Sequence, residues 1–282
     1  MYRQGTALAT EIQTTQPPEG CLAFWYLGQT GILFKSGEST VAVDPYLSYY
    51  VDEHVSLEEK IWVRNYPPPL PPAGLGSAGL VLLTHAHLDH TDPETLRGIY
   101  KNGGALFAGP PSVTAVLYGL GIPESRIVTL RAGKPFVWKG VRVLAYGVAH
   151  DVEHFDEEGN FLELSYHIRF ENGLSAYHSG DFSVTPSLLQ KTAGLAPNIA
   201  FLPINGTNWK QTQADIIGNI NAAEAADFAE HLNADLTVPV HFDLYPVNGC
   251  NPAHFTEAMF YRHFGRKHHI MQVGERFIYM KG

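Results

Sequence analysis

Short apolar blocks separated by glycine-rich turns run along most of the chain. From Cys21 onward, residues 22–27, 31–34 and 40–43 predict three short strands of a meander. The apolar run 79–83 predicts a buried strand. Asp92 followed by Pro93 marks a helix start, and Asn102-Gly103-Gly104 ends that helix after Lys101. A strand at 105–108, a helix at 111–119 and a strand at 126–130 come next. This strand–helix alternation predicts an α/β fold with helices outside. Residues 136–138 and 141–146 predict a hairpin around Lys139-Gly140. Residues 162–170 and 174–177 predict another around Glu171-Asn172-Gly173. Strands are expected at 198–204, 234–240, 270–273 and 276–280. Asn221 and Glu224 have capping-box spacing and open a helix to Leu232, and 252–264 reads as a further helix.

Other stretches carry less pattern. Residues 1–20 predict no defined element and read as an N-terminal extension to a single domain over 21–282. Residues 55–63 suit a helix. Pro67 to Pro72 favours extended backbone, either a stiff loop within the domain or a ligand for an SH3-type partner. The nearby Tyr46, Tyr49, Tyr50, Trp62 and Tyr66 either cover the sheet or line a pocket. Residues 152–160 read as an acidic loop. No internal repeat and no linker is visible.

Composition narrows the function. The chain has 282 residues, 45% hydrophobic and 17% charged, enough to bury a large core. Its 28 acidic against 19 basic residues give a net charge of −9, which argues against a nucleic-acid face. Only two cysteines are present, Cys21 and Cys250, in no C-x-x-C pattern. That argues against a disulfide framework or Cys-ligated zinc and suits a reducing cytoplasm. No apolar stretch is long enough to span a membrane.

The chemistry concentrates after the strand at 79–83, in Thr84-His85-Ala86-His87-Leu88-Asp89-His90. Neutral imidazole and carboxylate are ligands for zinc, manganese and iron. If the strand continues, alternation turns His85, His87 and Asp89 to one point, with His90 approaching from the next helix. Further candidates recur at predicted strand ends: Asp44, His150, His178, Asp181 and His241. Taken singly, each has an ordinary alternative. Asp44 and Asp181 suit turns, His178 suits a core position, and His154 competes with His150.

The motif H-x-H-x-D-H at 85–90 is the signature of the metallo-β-lactamase superfamily, which the chain resembles. Residues 24–32 (Phe-Trp-Tyr-Leu-Gly-Gln-Thr-Gly-Ile), 177–181 (Tyr-His-Ser-Gly-Asp) and 238–243 (Val-Pro-Val-His-Phe-Asp) look like L-ascorbate-6-phosphate lactonase and its relatives. The resemblance implies a four-layer αββα sandwich of two mixed β-sheets with helices outside. It implies two divalent ions, zinc or manganese with iron as an alternative. His85, His87 and His150 would bind the first ion, and Asp89, His90 and His241 the second. Asp181 would bridge them, with Asp44 and His178 behind the ligands. Asp89 and Asp181 would take the catalytic roles.

The expected activity is a hydrolase that uses hydroxide generated at the two-metal centre to open a sugar lactone or sugar-phosphate lactone. Arg64, Arg131 and Lys210 are candidate contacts for an anionic or sugar-like small substrate. A homo-oligomer is expected, without nucleic-acid or membrane partners. The alternatives are a phosphodiesterase of the same superfamily and a non-catalytic metal-binding protein.

Overall fold

Alternation along a strand decides which layer each side chain enters, and the strand Cys21–Gly28, β1, illustrates it. Leu22, Phe24 and Tyr26 enter one apolar cluster, while Ala23, Trp25 and Leu27 enter another. Every residue of β1 is buried, as in a strand covered on both faces. The computed structural model describes residues 3–55 and 61–281. Its first half comprises α1 (Gly5–Thr14), β1, β2 (Gly31–Ser36), β3 (Ser39–Val43), α2 (Tyr50–His54), β4 (Leu80–Leu82), α3 (Pro93–Asn102), β5 (Leu106–Gly109), α4 (Pro111–Gly119) and β6 (Ile127–Thr129). Then come β7 (Pro135–Trp138), β8 (Val141–Gly147), β9 (Leu164–Arg169), β10 (Ser175–His178), α5 (Pro186–Thr192), β11 (Ile199–Pro203), α6 (Trp209–Gln213), α7 (Ala222–Leu232), β12 (Leu236–Val240), α8 (Ala253–Arg262), β13 (Lys267–His268) and β14 (Arg276–Met280).

The strands form two seven-stranded sheets, ordered β14-β1-β2-β3-β4-β5-β6 and β13-β12-β11-β10-β9-β8-β7. Each sheet is antiparallel at one end and parallel at the other. In the first, β3 through β6 run parallel. In the second, β10 through β13 do. The sheets face each other across a core containing Phe24, Phe34, Tyr166 and Phe201. Within it Phe24 meets Phe201 edge-on at 5.3 Å between ring centroids. Helices α1, α3 and α4 cover the outer face of the first sheet, and α5, α7 and α8 that of the second. This is the expected αββα sandwich.

Local signals explain most elements. The Asp92 carboxylate accepts from Glu94 N at 3.1 Å and Thr95 N at 3.3 Å, capping α3. Asn221 and Glu224 form the expected reciprocal capping box on α7. Lys139 and Gly140, at φ 42° and 78°, make the tight hairpin turn between β7 and β8.

Two expectations change, one falls mostly outside the described residues, and one resolves to the first of its two alternatives. Residues 5–14, where the pattern predicts no element, form α1. Only Leu8 and Ile12 of that helix are buried, too few to mark a face in sequence. Polar bonds hold it down: Lys35 Nζ donates to Ile12 O and Gln13 O at 2.9 Å each, and Trp25 Nε1 donates to Glu11 at 3.0 Å. The helix expected at 55–63 lies mostly outside the described residues, and α2 precedes it. The strand expected at 270–273 is a turn, where Gln272 N donates to Glu275 at 2.7 Å and Gly274 N to Tyr26 O at 2.8 Å. Pairing with β12 occurs instead at 267–268. Finally, Pro67 to Pro72 packs within the domain: Pro69 O accepts from Gly5 N at 2.6 Å and Leu70 is buried. Among the described residues, no helix is long and apolar enough to cross a membrane.

Candidate metal centre

Parallel strands deliver their C-terminal ends to one edge, and loops leaving that edge can converge. Asp44 follows β3, His85 and His87 follow β4, Asp181 follows β10, and His241 follows β12. His150 follows β8 on the same rim. The chain does not stay extended after β4, because His90 N and Thr91 N both turn back to His87 O, at 3.0 and 2.7 Å. That turn separates Asp89 from His85 and His87, so the simple alternation expected for these three does not hold. Two groups result that could each hold a metal ion: His85, His87, His150 and Asp181, and Asp89, His90 and His241. Asp181 touches both. Its Oδ2 is 3.2 Å from His150 Nε2 and 3.3 Å from His241 Nε2, and its Oδ1 is 3.3 Å from His90 Nε2.

The surrounding bonds set which ring nitrogens are free. Asp44 is fully buried and accepts from Thr84 N at 2.8 Å, Thr84 Oγ1 at 2.6 Å and His90 Nδ1 at 2.8 Å. His90 is thereby protonated at Nδ1, which leaves Nε2 for the centre. Thr84 Oγ1 spends its proton on Asp44, so it accepts from His85 Nδ1 at 3.0 Å. His85 Nε2 then also faces the centre. His178 stays behind the ligands, its Nε2 donating to Thr30 O at 2.8 Å and its Nδ1 accepting from Gly180 N at 3.2 Å. His154 is half-exposed and bound to Glu163 at 3.2 Å, so His150 is the imidazole brought to the centre.

The donor set fits cations. His85 Nε2, His90 Nε2 and Asp181 Oδ1 are buried without a hydrogen-bond partner. Such atoms cost about 1–3 kcal/mol each unless something satisfies them. Burial, with the neighbouring His90 and His87 rings, holds the His85 ring well below the usual imidazole range. Burial also opposes charge on His90, but Asp181, Asp89 and Asp44 outweigh it and raise that ring well above the range. Asp181 would rise on burial, yet His241 and His90 hold it well below the carboxylate range. Carboxylates and imidazoles at the rim thus stabilise one another's charged forms, and a divalent cation would take the place of the proton on His90 Nε2.

Three non-glycine residues here adopt left-handed backbone: Gln29 at φ 57°, Asp44 at 43° and His241 at 57°. Gln29, which the sequence reading did not single out, lies on the turn after β1. Its Nε2 is 2.7 Å from Asp89 Oδ2 and 3.0 Å from His241 Nε2. Thr84 was also missed, although its place between the strand and His85 is its only sequence signal.

A cavity of about 320 Å³ opens over the centre. His87, Asp89, His150, Asp181 and His241 are at its base, and Trp62, Leu88, Ile216, Ile217 and Tyr245 help wall it. Among the described residues, no lysine or arginine lines it. Arg64 donates to Ser48 O and lies over the Tyr46 ring, 4.8 Å from its centroid. Arg131 bonds Asn160 at 3.1 Å, and Lys210 lies over exposed Trp209 at 5.6 Å. None of these three expected substrate contacts is among the described residues that line the cavity. Of the aromatics at 46–66, Trp62 lines the cavity.

Comparison with known proteins agrees with this geometry. A family profile described as "Beta-lactamase superfamily domain" matches residues 24–241. A protein of Salmonella choleraesuis named "Probable L-ascorbate-6-phosphate lactonase UlaG" is 23% identical over 97% of this chain and 85% of its own length. Igni18, described as a novel metallo hydrolase of the archaeon Ignicoccus hospitalis, superposes with a TM-score of 0.67 at 20% identity, over 93% of this chain and 100% of that one. An isothiocyanate hydrolase from Delia radicum gut bacteria superposes with a TM-score of 0.71 at 16% identity, over 90% of this chain and 98% of that one. With the family profile spanning most of its length and both sheets in place, the chain belongs to the metallo-β-lactamase superfamily of metal-dependent hydrolases.

Proposed function

We propose that the chain hydrolyses a small, uncharged lactone or related ester at a two-metal centre. The observation that carries this is Asp181, which touches both ligand groups at the base of an apolar-walled cavity. In this reading His85, His87 and His150 hold one divalent ion, and Asp89, His90 and His241 hold the other. Asp181 is shared between them. Zinc and manganese both suit these donors, and iron does too. Such a pair of ions supplies a water that ionises near neutral pH and stabilises charge on the attacked carbonyl oxygen. Asp44 and Thr84 fix the His90 and His85 tautomers. Asp89, whose side chain is 20% exposed, faces the cavity and is placed to take the proton that the attacking water gives up and pass it to the leaving alkoxide. Trp62, Leu88, Ile216 and Ile217 exclude water and hold the substrate body.

The likeness to a lactonase supports ring opening of a lactone, and the walls bear on which one. Among the described lining residues the carboxylates are Asp89, Asp181 and Asp215, with no lysine or arginine to meet a phosphate group on the substrate. The same walls, with the net charge of −9, count against a phosphodiesterase.

The test is elemental analysis of protein purified without added metal, then a panel of one lactone, its phosphorylated form and a chromogenic phosphodiester on the same sample. We expect two divalent ions per chain and kcat/KM at least about 10-fold higher on the unphosphorylated lactone, the scale of one or two poorly paired charges. Asp181→Ala should lose metal and lower kcat/KM on the order of 10³-fold. Preference for the phosphodiester, or full metal content in Asp181→Ala, overturns the reading.

A further inference from the structure

The second ligand group is closed by a side chain outside the motif. Gln29 is 2% exposed, at the corner between β1 and β2. Its backbone is tied to the residue it faces, because Gln29 O accepts from His241 N at 2.7 Å. It also accepts from Tyr26 Oη at 3.0 Å, while Gln29 N donates to Tyr66 Oη at 3.3 Å. Tyr66 Oη donates to Asp243 Oδ1 at 2.8 Å, and the Tyr26 hydroxyl shares its one proton between Gln29 O and that same carboxylate oxygen, 2.8 Å away, so the corner is braced from behind.

From this fixed corner the amide reaches Asp89 Oδ2 and His241 Nε2 at 2.7 and 3.0 Å, and those two atoms are 3.8 Å apart. The amide nitrogen thus sits against the same two atoms that a cation of the second group would use. A divalent ion sits about 2.0–2.2 Å from imidazole nitrogen and carboxylate oxygen. An ion between Asp89 Oδ2 and His241 Nε2 therefore meets the end of this amide. An NH₂ there opposes the ion, whereas a carbonyl oxygen would ligate it. The terminal torsion of glutamine is broad and roughly two-fold, so a half-turn exchanges the two ends at small cost.

Resting on the two-metal reading, we propose that Gln29 is an oxygen ligand of the second ion. Its amide presents NH₂ to Asp89 and His241 when no ion is there and Oε1 when one is. The second site then holds Asp89, Asp181 and Gln29 oxygens with two imidazoles, against three imidazoles and Asp181 at the first. An oxygen-richer set suits manganese better than zinc, so the sites differ in metal preference.

The test is titration of metal-free wild type, Gln29→Leu and Gln29→Glu with Mn²⁺ and with Zn²⁺, read by stoichiometry and competition. In Gln29→Leu we expect one ion retained, the second bound at least about 10-fold more weakly, and the second site's manganese preference lost. In Gln29→Glu we expect both ions retained, with Mn²⁺ bound more tightly at the second site. A glutamine that serves only as a hydrogen-bond donor to Asp89 gives the opposite sign, because Gln29→Glu would repel Asp89 and weaken the site. That result, or wild-type binding in Gln29→Leu, overturns the proposal. If Gln29→Leu does not fold, the sign in Gln29→Glu decides alone. Wild type that binds no second ion instead sinks the two-metal reading itself.

Discussion

The space between the sheets and the inner part of the rim above it are equally buried, but they differ in nearly every other respect. Between the sheets, Phe24, Phe34, Phe170 and Phe201 satisfy one another by contact, without regard to charge. At the rim, His85, His90, His178 and Asp44 are as deeply buried, yet each is held by one to three directed bonds. Some of their atoms have no partner. The interior supplies stability that is indifferent to the site's chemistry. The rim draws on that stability to keep polar atoms dry and aimed.

Substitutions can break or sharpen this contrast. The largest stability effect should come from Phe24→Ala, at about 3–5 kcal/mol, because the ring is fully buried and its space cannot collapse between two sheets. Thermal unfolding should show that loss, while the folded fraction keeps wild-type metal content. A lost ion in folded Phe24→Ala would mean that core and rim are not separable.

Asp44→Asn should do the reverse. It keeps shape and volume but weakens the hold on His90 Nδ1 and Thr84, at 2.8 and 2.6 Å. Metal affinity should fall by about 10–100-fold with little change in unfolding temperature once metal is removed. Unchanged affinity would show that the carboxylate's contribution is only that of a buried turn residue.

The smallest effect tests a histidine that belongs to neither class. His167 on β9 is partly buried, and its Nε2 has no hydrogen-bond partner. Burial, with help from Arg169, holds its ring down at about 4. The unfolded chain takes a proton there below about pH 6.5, which the folded chain refuses until about pH 4. Stability should therefore fall as pH drops through that window. Because the ring keeps some solvent, the loss is about 1–2 kcal/mol. His167→Leu should flatten this part of the pH–stability curve measured by urea unfolding. An identical curve would exclude His167 as its source.

How much of this was legible in the sequence follows the same division. The interior was legible through short apolar runs bounded by turn residues, which a strand buried on both faces displays in place of alternation. The capped helices were legible because Asp92 and Asn221 announce them locally. The seven-and-seven plan was not, since equivalent strands of the two sheets share geometry without sharing residues. The motif at 85–90 was legible because its residue types have few other uses, and His150, Asp181 and His241 became legible through the family resemblance. Gln29 and Thr84 were not, because an amide and a hydroxyl occur everywhere and only the fold brings them to a ligand. The cavity walls were illegible for a related reason: Leu88, Ile216 and Ile217 look like any other core residues until the chain leaves them facing open space.

The left-handed corners at Gln29, Asp44 and His241 carry a consequence for how this protein can change. Glycine would relieve about 1–2 kcal/mol of backbone energy at each such position. In all three, glycine would also delete a side chain that faces the centre or orients one of its imidazoles. Drift toward a more stable chain therefore has short, single-residue routes that end in a silent protein. Screens that reward thermostability alone should find those routes, and screens that also reward turnover should close them.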